Sequence, residues 1–231
     1  MSKLLDNQSF QGPIIVRRRS RRARHMTLKI DAAAGIAELV VPNGVSNAEA
    51  DRFERKHRRW AAKHLAQLPP RRRFVDGLAL PVLDETLYVR HRPGAFRAAR
   101  RIDDDLVVGG RADQIAARVE AWLRETARAR LLARVTGYAE ALGRAVSGIR
   151  IGDPRTRWGS CSHTGTMSFS WRLVLAPEAV LNYVAAHETA HLVEMNHSSR
   201  FWELVDILEP DFEDARDWLA ENGQALHRYG G

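Results

Sequence analysis

Across residues 184–192 the chain reads Val-Ala-Ala-His-Glu-Thr-Ala-His-Leu, two histidines and a glutamate set in an apolar run with helical character. Residues four apart share one helix face, with roughly 6 Å between their Cβ atoms. His187 and His191 can therefore each bring an imidazole nitrogen to about 2.0–2.1 Å from one zinc ion. Glu188 stands about 100° further round the helix, beside such an ion without ligating it. A carboxylate there can take a proton from an attacking water and later deliver it to a leaving amine. With 9 histidines in 231 residues and 14 glutamates, H-E-x-x-H is expected by chance about 0.02 times. The bland alternative is a core helix with two hydrogen-bonded histidines.

A catalytic zinc usually has three protein ligands and one open position. The third candidate is His197, six residues after His191. A continuing helix would carry it about 9 Å along the axis, so the helix must stop first. Asn196 tolerates a left-handed backbone and is the expected stop. Ser198 or Ser199 can then cap a new helix over 200–208. The spacing H-E-x-x-H-x5-H is that of the metzincins, but Glu194 stands where their motif has Gly, and no Met follows His197. A carboxylate third ligand, from Glu203, Glu209 or Glu213, is the competing scheme.

Composition fits a reduced, folded chain. The sequence is 45% hydrophobic and 28% charged, too apolar for a disordered chain. Its one cysteine, Cys161, excludes an internal disulfide and a multi-cysteine zinc module. No run approaches the roughly 18 apolar residues of a membrane helix, and residues 1–11 lack a secretory h-region. A cytoplasmic protein is the expectation. The net charge of +8 is uneven: residues 1–75 carry +11 and the remainder −3. Arg17, Arg18, Arg19, Arg21, Arg22 and Arg24 form a cluster that could attract nucleic acid. Arginines on the solvent face of a strand explain it equally simply.

Met26, Leu28 and Ile30 alternate with Thr27 and Lys29, the pattern of a half-buried strand, and a second apolar run over 36–41 suggests a hairpin. Ser46 or Asn47 can cap a helix running to about Leu68, with Phe53, Trp60, Ala61 and Leu65 inward. Two short strands are expected over 74–90 and one over 100–110. A long helix follows over 113–142, closed by Gly143. After a short strand at 149–151, residues 155–161 and 165–175 read as a hairpin turning near His163, and Pro177 opens the next helix. This gives an α+β chain with a basic, β-rich lobe over 1–110, containing one helix, and a second domain over 111–231.

The sequence resembles the YgjP-like metallopeptidases. The likeness rests on Arg157-Trp158-Gly159-Ser160-Cys161, on Phe169-Ser170-Trp171-Arg172-Leu173 through Pro177, on His187 to His191, on Glu194-Met195-Asn196-His197-Ser198 and on Arg200-Phe201-Trp202. It extends over roughly 14–226, with Ser199 a small departure from an expected Pro. The resemblance implies a zincin-like fold, an H-E-x-x-H helix beside a small sheet, related to the WLM and SprT-like metalloproteases. It implies one zinc on His187, His191 and His197, with Glu188 as general base, and a peptide or protein substrate. In such folds a sheet edge runs beside the active-site helix and can pair with a substrate strand; residues 157–161 and 167–173 are the candidates.

The expected activity is zinc-dependent peptide-bond hydrolysis, with no membrane partner. Tyr229 and His227 are unranked candidates for a second oxyanion donor. Cys161 reads as a buried small residue rather than a nucleophile, and Trp158, Trp171 and Trp202 as core. The alternatives are a nucleic-acid-associated binding protein, whose basic lobe could also direct a protease to DNA-bound proteins, and a structural zinc site. The last normally needs four protein ligands, and three stand out here.

Overall fold

The computed structural model describes residues 13–230; the polar stretch 1–11 read for targeting signals lies outside them. The chain forms two compact units, Met1–Pro70 and Arg71–Gly231.

In the first unit, strands β1 (Ile15–Ser20), β2 (Thr27–Asp31) and β3 (Ile36–Pro42) form one sheet in the order β1-β3-β2. The expected hairpin is the antiparallel pair β2–β3, while β1 runs parallel on the other side of β3. Helix α1 (Asn47–Ala66) starts at Ser46, whose hydroxyl accepts from Glu49 N–H while Glu49 reaches back to the Ser46 N–H. That reciprocal box satisfies two otherwise orphaned donors. Leu39, Val41 and Ala50 make a small core under Ile15, Met26, Leu28 and Phe53. Trp60, expected to face inward, is 40% exposed and packs on His64.

Half of the arginine cluster is used internally. Arg17 pairs with Asp51 and Glu54, Arg18 with Glu38, and Arg19 donates to Asn47 and to the Val45 carbonyl. These contacts tie β1 to β3 and α1.

In the second unit, β4 (Ala79–Val82), β5 (Glu85–His91), β6 (Arg100–Ile102) and β7 (Asp105–Val108) form a mixed sheet in the order β4-β5-β7-β6. The single strand expected over 100–110 is thus a hairpin, folded at Asp103, whose φ of 51° lies in the left-handed region that aspartate tolerates. Helix α2 (Ile115–Ala141) buries Ile115, Val119, Leu123, Ala127, Leu131, Val135 and Ala139, one side chain per turn. Leu80, Leu87, Val89, Leu106 and Val108 join the same core as this helix. The compact units therefore divide at 70/71 rather than at the expected 110/111: residues 71–110 bury their apolar face in the second unit.

A three-stranded sheet follows, β8 (Gly148–Gly152), β9 (Gly159–Cys161) and β10 (Thr166–Ser170), in the order β8-β10-β9. The expected second hairpin strand ends at Ser170, and Trp171–Leu175 form a 3-10 turn. All five of its side chains are buried, and the Ser170 hydroxyl caps it by accepting from Arg172 N–H. Helices α3 (Glu178–Ala190), α4 (Ser199–Leu208) and α5 (Phe212–Leu226) complete the unit.

Buried Arg172 fastens the C-terminal end. Its guanidinium makes two hydrogen bonds to Asp153, at 2.7 and 2.9 Å, donates to the Leu226 and Tyr229 carbonyls, and lies 4.4 Å from the Trp171 ring centroid. Among the described residues no helix is long and apolar enough to cross a membrane.

Candidate active site

Helix α3 is apolar nearly all round, which fits a helix enclosed by α2, α4, α5 and the β9 edge. His187 and Glu188 sit in its last full turn, and His191 occupies its C-cap. The chain then turns at once, with Leu192 N–H bonded to the Thr189 carbonyl and Val193 and Glu194 N–H to that of Ala190. The helix ends six residues before Asn196, which keeps a negative φ; the expected left-handed stop does not occur. Asn196 works through its side chain. Its amide donates to Glu194 Oε1 at 2.7 Å, and its oxygen accepts from Ser198 N–H at 2.9 Å. Ser198 then caps α4 by accepting from Phe201 N–H.

This turn folds His197 back over α3. The ring centroids of His187, His191 and His197 are 5.1, 5.0 and 4.9 Å apart in pairs, and one nitrogen from each lies within 4.8 Å of the others. The Nε2 atoms of His187 and His197 are 3.1 Å apart. Tetrahedral coordination at 2.0–2.1 Å would separate two ligand nitrogens by about 3.3–3.4 Å. The donor set therefore fits a divalent ion with one position open. Among the described residues this is the cluster suited to a metal; Glu203, Glu209 and Glu213 lie outside it, as does Cys161. Glu209 instead accepts a hydrogen bond from the Tyr138 hydroxyl.

The rings are set by packing and by one backbone bond. Phe201, fully buried, has its ring centroid 4.6–4.9 Å from those of all three imidazoles. The His191 Nδ1 lies 3.0 Å from the Glu194 carbonyl, which directs Nε2 toward the cluster. Tyr183 packs edge-on against His187. The His187 Nδ1 is buried without a hydrogen-bond partner among the described residues. Burial first, then the neighbouring His191 and His197, push His187 down to about 4. It is thus neutral at pH 7, the protonation state that can bind a metal.

Glu188 is 5% exposed. Burial raises its carboxyl to about 7, against the opposing pull of the Arg157 charge and a hydrogen bond from Cys161 N–H. A Cβ placed on Gly159 would lie 2.5 Å from Glu188 Oε1 and 2.6 Å from its Cγ, so only glycine lets β9 approach this side chain so closely. Cys161 is itself pushed up to about 11, by burial and then by Glu188, which holds it as a thiol and argues against a nucleophile. A cavity of about 290 Å³ opens onto Glu188 and the three histidines, walled by β9 and Met195.

The structure brings His187, His191, His197 and Glu188 to this one cavity. Tyr229 and His227 do not line it: Tyr229 is buried beside Arg72, and His227 stacks on Trp158. Trp171 is core as expected, whereas Trp158 and Trp202 are partly exposed at its margin. Gly159, the Cys161 amide and Phe201 were not singled out for a role by the sequence. Each lies in a segment that carried the family resemblance, which was the available signal.

No curated protein sequence matches the chain. A solved structure similar to part of it is the crystal structure of the metallopeptidase zymogen of Pyrococcus abyssi abylysin, 23% identical, covering 41% of this chain and 95% of that one with a TM-score of 0.38. A protein-family model described as "YgjP-like, metallopeptidase domain" matches residues 24–222. That span runs from before β2 into α5 and contains every residue of the cavity, and the chain belongs to the YgjP-like metallopeptidase family.

Proposed function

We propose that this protein is a zinc-dependent peptidase in which His187, His191 and His197 hold the ion and Glu188 is the general base. The observation that carries the reading is the convergence of three imidazoles and a buried, non-ligating carboxylate on one open cavity. Three histidines leave a fourth position for water or substrate. When bound there, zinc supplies Lewis acidity, polarising a carbonyl and making water a better nucleophile at neutral pH.

The chain's own groups supply the remainder. Cys161 N–H holds the Glu188 carboxylate toward the cavity. That carboxylate takes a proton as water attacks the scissile carbon, then delivers it to the departing amine. Gly159 leaves room for it, and Phe201 holds the three imidazoles at fixed spacing. The free edge of β9 lies beside α3, where an extended peptide can add as a strand.

A nucleic-acid-associated role has less support, since Arg17, Arg18 and Arg19 are committed to carboxylates and carbonyls within the first unit. The test is hydrolysis of a casein or peptide library by the zinc-loaded protein beside Glu188→Gln. The variant should keep its zinc and lose at least about 100-fold in rate. Equal hydrolysis by both would remove Glu188 from the mechanism.

A further inference from the structure

A second cavity, of about 440 Å³, adjoins the one that holds the histidines, and the two share Ser160 and Cys161. It lies over the face of the β8-β10-β9 sheet on which Arg150, Ser168 and Ser160 stand side by side, paired strand to strand. Thr166 and Ser162 extend that row of hydroxyls, and Arg157 borders it. No carboxylate lines the cavity, and among the described residues neither Arg150 nor Arg157 is in an ion pair. Two arginines beside a row of hydroxyls make a site for an anionic group.

Its position relative to β9 says how a substrate would meet it. Trp158 C=O and Ser162 N–H bond to β10, so the two-residue alternation turns the backbone of Gly159 and Cys161 to the other edge, where the Cys161 N–H meets Glu188 and the Gly159 backbone faces outward for a substrate strand. A peptide added to that edge presents successive side chains to opposite faces of the sheet. One set stands on the side of Glu188 and the histidines. The other stands over Ser160 and the arginine-lined cavity.

We propose that this cavity is a substrate subsite for an acidic side chain, with Arg150 and Arg157 as its selective charges, so that the preferred substrates carry Asp or Glu close to the scissile bond. The proposal rests on the peptidase reading above. Arg150 is the cleaner residue to test, because Arg157 also acts on the charge of Glu188.

The experiment uses the zinc-loaded full chain and quenched fluorescent peptides alike except for one position, scanned along three residues on each side of the scissile bond and occupied by Glu, Gln or Lys. At one or more positions kcat/KM should favour Glu over Gln by about fivefold at low salt, with Lys poorest and the preference shrinking as salt rises. Arg150→Gln should lower the Glu-to-Gln ratio toward one, chiefly by slowing the Glu peptide, and Arg150→Glu should favour Lys. Equal rates on all three peptides, or a Glu preference untouched in both variants, overturn the subsite. If no peptide is cleaved, the peptidase reading fails, and binding of the same peptides to Glu188→Gln by fluorescence anisotropy decides the subsite separately. Tighter binding of the Glu peptide that disappears when Arg150→Gln is added supports it. Equal binding of the Glu and Gln peptides overturns it.

Discussion

Glu188 shows how closely one residue's role depends on its neighbours. Its carboxylate is buried, receives the Cys161 N–H, and fits only because residue 159 has no Cβ. Gly159→Ala should therefore displace Glu188 and reduce kcat by at least about tenfold, a misplacement of the order that disables positioned groups. Its zinc content should match wild type, because the three histidines do not touch that Cβ. Elemental analysis beside a peptide assay separates the two, and wild-type turnover in this variant would contradict the packing argument. Phe201 acts on the histidines as Gly159 acts on Glu188. Phe201→Ala removes a fully buried ring that contacts all three imidazoles, so it should cost about 3–5 kcal/mol in urea denaturation and weaken zinc retention against a competing chelator. A variant with unchanged zinc affinity would show that Phe201 serves stability alone.

At the scale of elements, the site depends on where helices end. α3 stops at His191 and α4 begins after Ser198, and the short turn between them, braced by Asn196, sets His197 against His187. The residue types that could stop and restart a helix were legible in the sequence. The manner was not, because Asn196 can end a helix by its backbone or brace a turn by its side chain, and only the surrounding chain decides between them. The 3-10 turn at Trp171–Leu175 was hidden for a related reason. Continuous burial looks the same in a short strand and in a short helix. The Asp153–Arg172 pair, which joins this turn to the chain's end, was invisible because its partners lie 19 and more residues apart. Burial raises the Asp153 carboxyl, but the hydrogen bonds and charge of Arg172 outweigh it and hold the group below its ordinary value. A depressed carboxyl adds stability above its unfolded pKa, about 3.9, and that increment is lost as pH falls through the folded value. Asp153→Asn should thus be about 1–3 kcal/mol less stable than wild type at pH 6, with the difference narrowing as pH falls below about 3.9. Denaturant titrations across that range provide the check; a constant difference at all pH values would remove the ion pair as its source.

For the whole molecule, the H-E-x-x-H segment and its family resemblance pointed to the residues that line the candidate cavity, because they lie close together in sequence. The division into compact units was less legible. Residues 71–110 resemble the first lobe in their strand content, yet Leu80, Leu87, Leu106 and Val108 bury against α2. Strand content says nothing about which core a sheet joins. A metal held by the three histidines would couple the site to that core, since α3, its C-cap and the turn after it carry all three. Zinc at 100 times its dissociation constant should add about 2.7 kcal/mol. For a unit of this size that corresponds to a melting temperature about 5–10 °C higher than in the chelated protein. Calorimetry with and without chelator tests the coupling, and identical melting in both would place metal binding outside the folded core.

Whether the three histidines form one metal site is tested most directly by elemental analysis of the purified protein beside His197→Ala. About one zinc per wild-type chain and a clear loss in the variant are expected, since two imidazoles four residues apart on one helix leave the ion underligated. Full zinc in His197→Ala, or none in carefully prepared wild type, would contradict such a site.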